Sequence, residues 1–327
     1  FGPAARGYVD TAALFLLAGL ERVRVGGRVL LILPESVLGA DHAAALRAEV
    51  TRRARVVGLW VADAPVFDAG VDVCALCVER VPGGQGDDPV RLATGPEVRA
   101  AGSAAAPVDG GWAPLLARAR GVPSVSLGAA EGRGRPPTVV GDLADATAGF
   151  RQHHYGLVPH LVEDPTPAGD VHPVVTTGMI DPGVLGWGLR PARIGGRRWT
   201  HPAASLTAVE AADAGVGSWF RARVGPKVLV APQGKVVEAA VDPDGRTLPA
   251  TPLVSVSPRP DASAALGVDA GSVPWLLLAA LSAPPVSAWV VERAAGTGRG
   301  RDTVRVSART ALAVPLPPDR EAWVAVA

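Results

Sequence analysis

Two stretches decide the reading of this chain: GGRVLLILPES at residues 26–36 and PVFDAGVDVCALCVER at residues 65–80. In the first, five successive apolar residues, 29–33, stop at Pro34, which predicts a strand covered on both faces. Upstream, Ala13, Leu14, Leu17, Leu20 and Val23 recur at three- and four-residue steps behind Asp10, a candidate cap. Gly26 and Gly27 can take positive φ, so a helix ends there and feeds the strand. Downstream, Asp41 is placed to cap a second helix running to Arg53, with Ala44, Leu46 and Val50 on its buried side, and residues 56–61 read as the next strand. In the second stretch, residues 62–70 form a loop and 71–78 a further strand. Such a loop is too short for a crossover containing a helix, so these last two strands are predicted to pair antiparallel.

From residue 81 to about 143 the pattern weakens. GGQGDDP, AAGSAAAP and EGRGRPP surround one short helix candidate at 112–119, and the region reads as linker or insertion. Beyond residue 149, short apolar runs (174–175, 228–231, 253–256, 304–306) alternate with Pro and Gly, as in a mixed α+β domain. One clear helix is predicted at 274–281, with Ser272 as a candidate cap. The organisation expected is therefore 1–80, 81–143 and 144–327.

Of the 327 residues 48% are apolar and 19% charged, and 32 Lys and Arg against 31 Asp and Glu leave a net charge of +1, which excludes a disordered chain and a globally basic nucleic-acid binder. The balance is local rather than uniform: residues 186–235 hold eight basic side chains against two acidic ones, while 160–185 hold four acids and no Lys or Arg. Two cysteines, Cys74 and Cys77, are too few for a disulfide framework, and a reducing cytoplasmic setting is expected. Three apart in a strand they face opposite sides, a poor metal or redox pair, and buried core thiols are expected. The most apolar window, 273–291, is broken by Pro284 and Pro285, so no membrane span is expected. The chain opens on Phe1 and its one methionine is Met179, so it is read as part of a longer protein.

The helix, the Gly-Gly, the apolar strand, Leu33-Pro34-x-Ser36 and then the Val66-Phe67 loop together resemble the C-terminal half of the catalytic domain of gamma-class N6-adenine DNA methyltransferases. The resemblance continues in the same order through TTGMIDPGVLGWGLRPARIGGRRW (176–199), PKVLVAPQGKVVEAAVDPDGRTLP (226–249), VPWLLLAALSAPPVSAW (273–289) and RVSARTALAVPLPP (305–318), which look like that family's target-recognition domain. It implies an α/β fold: part of a class I methyltransferase (Rossmann-like) sheet ending in an antiparallel hairpin, then a mixed α+β domain that reads DNA. It also implies methyl transfer from S-adenosylmethionine to the N6 of an extruded adenine, double-stranded DNA as partner, and a possible restriction nuclease alongside. The family's Asn-Pro-Pro-Tyr/Phe motif and the glycine loop for the donor do not occur in these residues, so residues 1–327 alone are expected to be inactive in methyl transfer.

The same resemblance places Phe67 against the extruded adenine, where an aromatic face replaces the lost stacking, with Pro34 beside it at the end of the strand. The alternative for Phe67 is a plug at the sheet edge. Arg190, Arg193, Arg197 and Arg198 read as phosphate or guanine contacts, with Trp199 (or Trp187) able to stack and Lys227 as a further phosphate contact. A solvated arginine-rich face is the alternative. The Phe67 loop and the arginine cluster are expected to line one DNA-sized cleft. His153-His154 has no partner at zinc-ligand spacing and reads as a loop pair. GTGRGR near residue 300 fits no dinucleotide fingerprint. A rival from another class is a non-catalytic DNA-recognition or interaction module on a methyltransferase-like scaffold, and a weaker one is a methyltransferase acting on a small molecule or protein.

Overall fold

A computed structural model describes residues 11–68, 70–108, 110–128 and 138–325. Asp10 lies outside them. The chain divides into two compact units: residues up to Val125 with Ala288–Arg305, and Ser126–Ser287 with the residues from Val306 onward.

In the first unit, helix α1 (Thr11–Arg22) turns Ala13, Leu16, Leu17 and Leu20 inward and stops before Gly26, whose φ of 77° needs no Cβ. Strand β1 (Arg28–Pro34) follows, then one turn, α2 (Ser36–Gly39), and helix α3 (Ala44–Arg53). Asp41 opens a short 3-10 turn between α2 and α3 rather than capping one long helix. Strands β2 (Ala54–Val61) and β3 (Val73–Arg80) pair antiparallel, as the short loop requires. β3 also pairs antiparallel with β1, from Arg28 opposite Glu79 to Pro34 opposite Val73.

The sheet does not end there. β4 (Val90–Thr94) joins β2 in parallel and β5 (Arg99–Ala104) closes antiparallel on β4, giving the order β1-β3-β2-β4-β5. Helix α4 (Ala113–Ala119) buries Leu115 and Leu116 in the same core. Residues 81–125, expected as linker, are thus sheet and helix of the first unit. Buried Arg47 ties them in, donating to the carbonyls of Val37, Ala40 and Gly110.

A second expectation fails at β1. Val29 and Leu33 are buried with Cys74, Leu76 and Val78, but Leu30 is 65% and Ile32 52% exposed, so one face of the strand is covered and the other is open. An unbroken apolar run does not distinguish these cases. Cys74 is buried and its thiol is pushed up by burial, whereas Cys77 on the opposite face is only half-buried.

The second unit is built on two four-stranded sheets. Its elements begin with β6 (Ala144–Ala148), α5 (Arg151–Leu157), β7 (Val162–Glu163) and β8 (Val171–Val175), followed by the small hairpins β9 (Ile180–Asp181) with β10 (Val184–Leu185) and β11 (Ala192–Ile194) with β12 (Arg197–Trp199). Then come β13 (Pro202–Ser205), α6 (Leu206–Ala212), α7 (Ala214–Arg221), β14 (Lys227–Val230), β15 (Gln233–Gly234), β16 (Ala239–Asp242), β17 (Leu248–Pro249) and β18 (Val254–Pro258). One sheet has the order β17-β8-β13-β7, the other β16-β14-β18-β6. Ser205 and Asp213 cap α6 and α7 through their side chains.

Helix α8 (Ala262–Leu266) precedes α9 (Val273–Ser282), whose Leu276, Leu277 and Leu281 are buried; Ser272 stands before α9 without a side-chain capping bond. A further helix, α10 (Pro284–Ala294), starts after Ala283 with Pro284 and Pro285 in its first turn, and its residues from Ala288 onward belong to the first unit. No single helix among the described residues is long and apolar enough to cross a membrane.

Candidate functional site

The first unit gathers charged side chains where β1 ends and the chain enters β3; open α/β sheets hold ligands at the C-terminal ends of their strands. Pro34 ends β1, and the next residue, Glu35, donates a backbone hydrogen bond across to the carbonyl of Asp72, just before β3 (3.0 Å). Around this junction lies a cavity of about 410 Å³ lined by Pro34, Glu35, Ser36, Gly70, Val71, Asp72, Arg120, Gly296, Gly298, Arg299 and Gly300. The Glu35 side chain is buried, and Arg120 Nη2 donates to its Oε2 at 2.6 Å. Burial pushes the carboxyl up to about 7, Arg120 opposes the rise and Asp72 adds to it. Arg301 approaches Asp72 at 3.5 Å. Gly296 has φ 81° and lies where a Cβ would come within 2.4 Å of the Glu35 carbonyl, so only glycine permits this approach.

The cavity thus collects residues that the sequence separates widely. Pro34 is marked in the sequence by its place after the strand. Glu35 lies in the same motif with no signal of its own, Arg120 lies in a segment without pattern, and the GTGRGR stretch matches no dinucleotide fingerprint. Phe67 stands on the 62–72 loop that supplies Gly70 and Asp72. It is 52% exposed and outside the core cluster, so it does not plug the sheet.

In the second unit, the two-residue turn Gly195-Gly196 has φ of 58° and 83°, and it closes β11 against β12 with Arg193 opposite Arg198. Ala192, Ile194 and Trp199 are buried on one side of the hairpin. Arg193 and Arg198 are exposed, two like charges directly paired across strands, an arrangement that costs folding energy. Neither makes an ion pair with another described residue. Arg197 stacks its guanidinium 4.2 Å over the Trp199 ring.

The structure corrects three of the expected contacts. Trp199 is buried in the core, its indole N–H donating to the Ile194 carbonyl at 3.2 Å, so its ring supports the hairpin and is not presented for stacking. Lys227 is fully buried: its ammonium bonds the Asp242 carboxylate at 2.5 Å and the Gly225 carbonyl at 3.2 Å, and no phosphate reaches it. Arg190 is half-exposed but engaged, with Asp181 at 2.7 Å and the Gly178 carbonyl at 2.9 Å. His153 is not in a loop either. It lies buried on α5, stacked 4.1 Å from Trp219. No group of three or more potential metal-ligating side chains occurs among the described residues.

The first unit is an open α/β sheet with a charged cleft at the end of β1; the second presents an arginine hairpin. No protein-family model and no curated protein matches this sequence. Among solved structures, the chain is similar over 94% of its length to the type IIL restriction-modification enzyme MmeI in complex with DNA, at TM-score 0.52 and 11% identity, covering 41% of that enzyme. Lower similarities are found to the type IIG restriction endonuclease BpuSI (TM-score 0.34, 10% identity, 99% of this chain and 44% of that one) and to a structure of a type I restriction-modification system (0.23, 20%, 26% and 18%). The fold is therefore one found in restriction-modification enzymes, and the chain spans about two fifths of the MmeI length.

Proposed function

We propose that this chain is the DNA-handling part of an adenine-N6 DNA methyltransferase of a restriction-modification system. The supporting observation is the shared fold with a restriction-modification enzyme captured on DNA, across nearly the whole chain. In this reading the Arg193–Arg198 pair meets the phosphate backbone or guanine edges of a duplex, and the exposed Phe67 ring stacks on the extruded adenine, with Pro34 as a further contact to that base. The paired guanidiniums, costly in the free protein, gain counter-charges when phosphates arrive.

S-adenosylmethionine is the methyl donor that this reading requires. Among the described residues no glycine loop follows a parallel strand in the manner of a nucleotide cradle, and besides Pro34 and Val71 the side chains that line the cleft are Glu35, Ser36, Asp72, Arg120 and Arg299. The residues present do not fit the donor, and no methyl-transfer step is assigned to them. A restriction nuclease acting on the same DNA belongs to the same proposal.

Two measurements test it. Duplex binding should weaken linearly in log–log dependence on salt, and replacing Arg193, Arg197 and Arg198 by Gln should reduce the slope by about 2–3, at ~0.9 for each phosphate no longer neutralised. An unchanged slope would return the hairpin to a solvated surface. With 2-aminopurine at the target position of a bound duplex, Phe67→Ala should abolish the quenching produced by stacking and weaken binding of the extruded base by ~1–3 kcal/mol. Quenching that survives Phe67→Ala excludes it as the stacking face.

A further inference from the structure

One carboxylate of the first unit is buried without a counter-charge. Glu292 lies near the end of α10, where Val290 and Ala294 are buried too, and only 8% of it is exposed. Its side chain makes no hydrogen bond or ion pair with another described residue. Neighbouring Arg293 is engaged elsewhere: its guanidinium lies 3.9 Å over the Trp289 ring and donates to the Trp289 carbonyl at 3.2 Å. A carboxylate withdrawn from water without a partner is destabilising, and native structures complete nearly all such groups.

What faces Glu292 is a cavity of about 450 Å³, which it lines together with Ala105, Ala106, Pro107, Pro114 and Leu115. The carboxylate keeps a narrow opening to solvent on this cavity, whereas the Trp112 indole N–H, also unpartnered, is sealed off. Arg118 is the other charged residue of the wall. It is exposed, and its guanidinium donates to the Val122 carbonyl at 3.1 Å instead of to Glu292. A single carboxylate is too few ligands for a resident metal ion, and no group of three potential metal-ligating side chains occurs among the described residues.

We propose that this cavity binds an aliphatic primary ammonium group, with the ammonium at Glu292 and the alkyl stem along the alanine and proline wall. The lining dictates both halves of the ligand: the carboxylate selects a cation, and the apolar wall selects one whose charge sits at the end of a hydrocarbon chain. Ser103 and Ser124 also line the cavity, and neither hydroxyl bonds another described residue, so they can accept the remaining ammonium N–H groups. A lysine side chain of a partner polypeptide and a free polyamine both carry this chemistry. The inference does not rest on the DNA reading above.

The test uses the 327-residue chain labelled with ¹³C at the glutamate carboxyl, the Glu292 signal being identified by its loss in Glu292→Gln. The signal should shift with n-butylammonium, and ethylammonium should bind about fifteenfold more weakly, at ~0.8 kcal/mol or roughly fourfold for each CH₂ removed. Uncharged n-butanol should bind about tenfold more weakly or worse, since it lacks the charge-assisted hydrogen bond. Glu292→Gln, nearly isosteric, should abolish the preference for n-butylammonium over n-butanol without lowering the thermal unfolding midpoint. Ala105→Trp, at an exposed position of the wall, should block both probes and leave the midpoint in place.

Spermidine and a blocked alanine peptide with a single lysine separate the two sources. Tighter binding of the peptide assigns the cavity to a protein partner, and tighter binding of spermidine assigns it to a free polyamine. A Glu292 signal that no amine moves would overturn the proposal. So would equal affinity for n-butylammonium and n-butanol, or amine binding that persists undiminished in Glu292→Gln.

Discussion

Replacing Lys227 by Ala should destabilise the second unit by about 3–5 kcal/mol, because it strands the Asp242 carboxylate inside the protein without its counter-ion. Lys227 and Asp242 face each other across β14 and β16, both inaccessible to solvent. Asp242 also accepts from the Thr247 hydroxyl at 2.6 Å, the Thr247 amide at 2.9 Å and the Arg246 amide at 3.2 Å. Burial would raise this carboxyl; the Lys227 ammonium and the Thr247 bonds outweigh it and hold it below the ordinary range.

A depressed folded-state value means that the stabilisation is present above the unfolded pKa and is lost as pH falls through the folded one. Urea unfolding followed at the second unit measures the destabilisation. Lys227→Met combined with Asp242→Asn should cost less than Lys227→Met alone, since the neutral amide needs no cation and still accepts from Thr247. Were Lys227 a phosphate contact instead, Lys227→Met would lower the salt slope of DNA binding and leave stability in place. The buried geometry predicts the opposite.

That lysine shows where reading a sequence stops. A Lys before an apolar strand has the same local pattern whether it points outward or crosses a sheet to an Asp fifteen residues later, and only the β14–β16 register separates the two. The elements with strong local periodicity, α1, β1, β2, β3 and α9, were legible. β4 and β5 were not, because Val90 and Leu92 are the only large apolar residues buried in them, and β5, RAAGSA, carries no alternation at all. Their place comes from hydrogen bonding to β2, a non-local fact.

The run in β1 announced a strand yet concealed its open face, since nothing within residues 29–33 records what covers each side. The arginines at 193, 197 and 198 were marked by residue type, but the β11–β12 hairpin that pairs Arg193 with Arg198 was not. Arg120 and the loop at 296–300 enter the cleft from 85 residues after Glu35 and from beyond most of the second unit's sequence, so no spacing rule could join them.

The Glu35 carboxyl should make the first unit less stable as pH rises from about 4.5 to about 7. Its folded-state value of about 7 lies above the ordinary 4.5, so in that interval the unfolded chain has released the proton while the folded one retains it. Each unit of pH then favours unfolding by ~1.4 kcal/mol, and the total approaches about 3 kcal/mol before levelling off above pH 7. The bond to Arg120 reduces this penalty without cancelling it, because burial of the carboxylate is the larger effect. Glu35→Gln keeps an acceptor for Arg120 and removes the titration. The difference in unfolding free energy between Glu35→Gln and the unaltered chain should be near zero at pH 4.5 and grow to about 3 kcal/mol in favour of the variant at pH 8, other titrating groups dropping out of the comparison. A difference that stays flat across this range would mean that Glu35 is ionised throughout and firmly paired with Arg120.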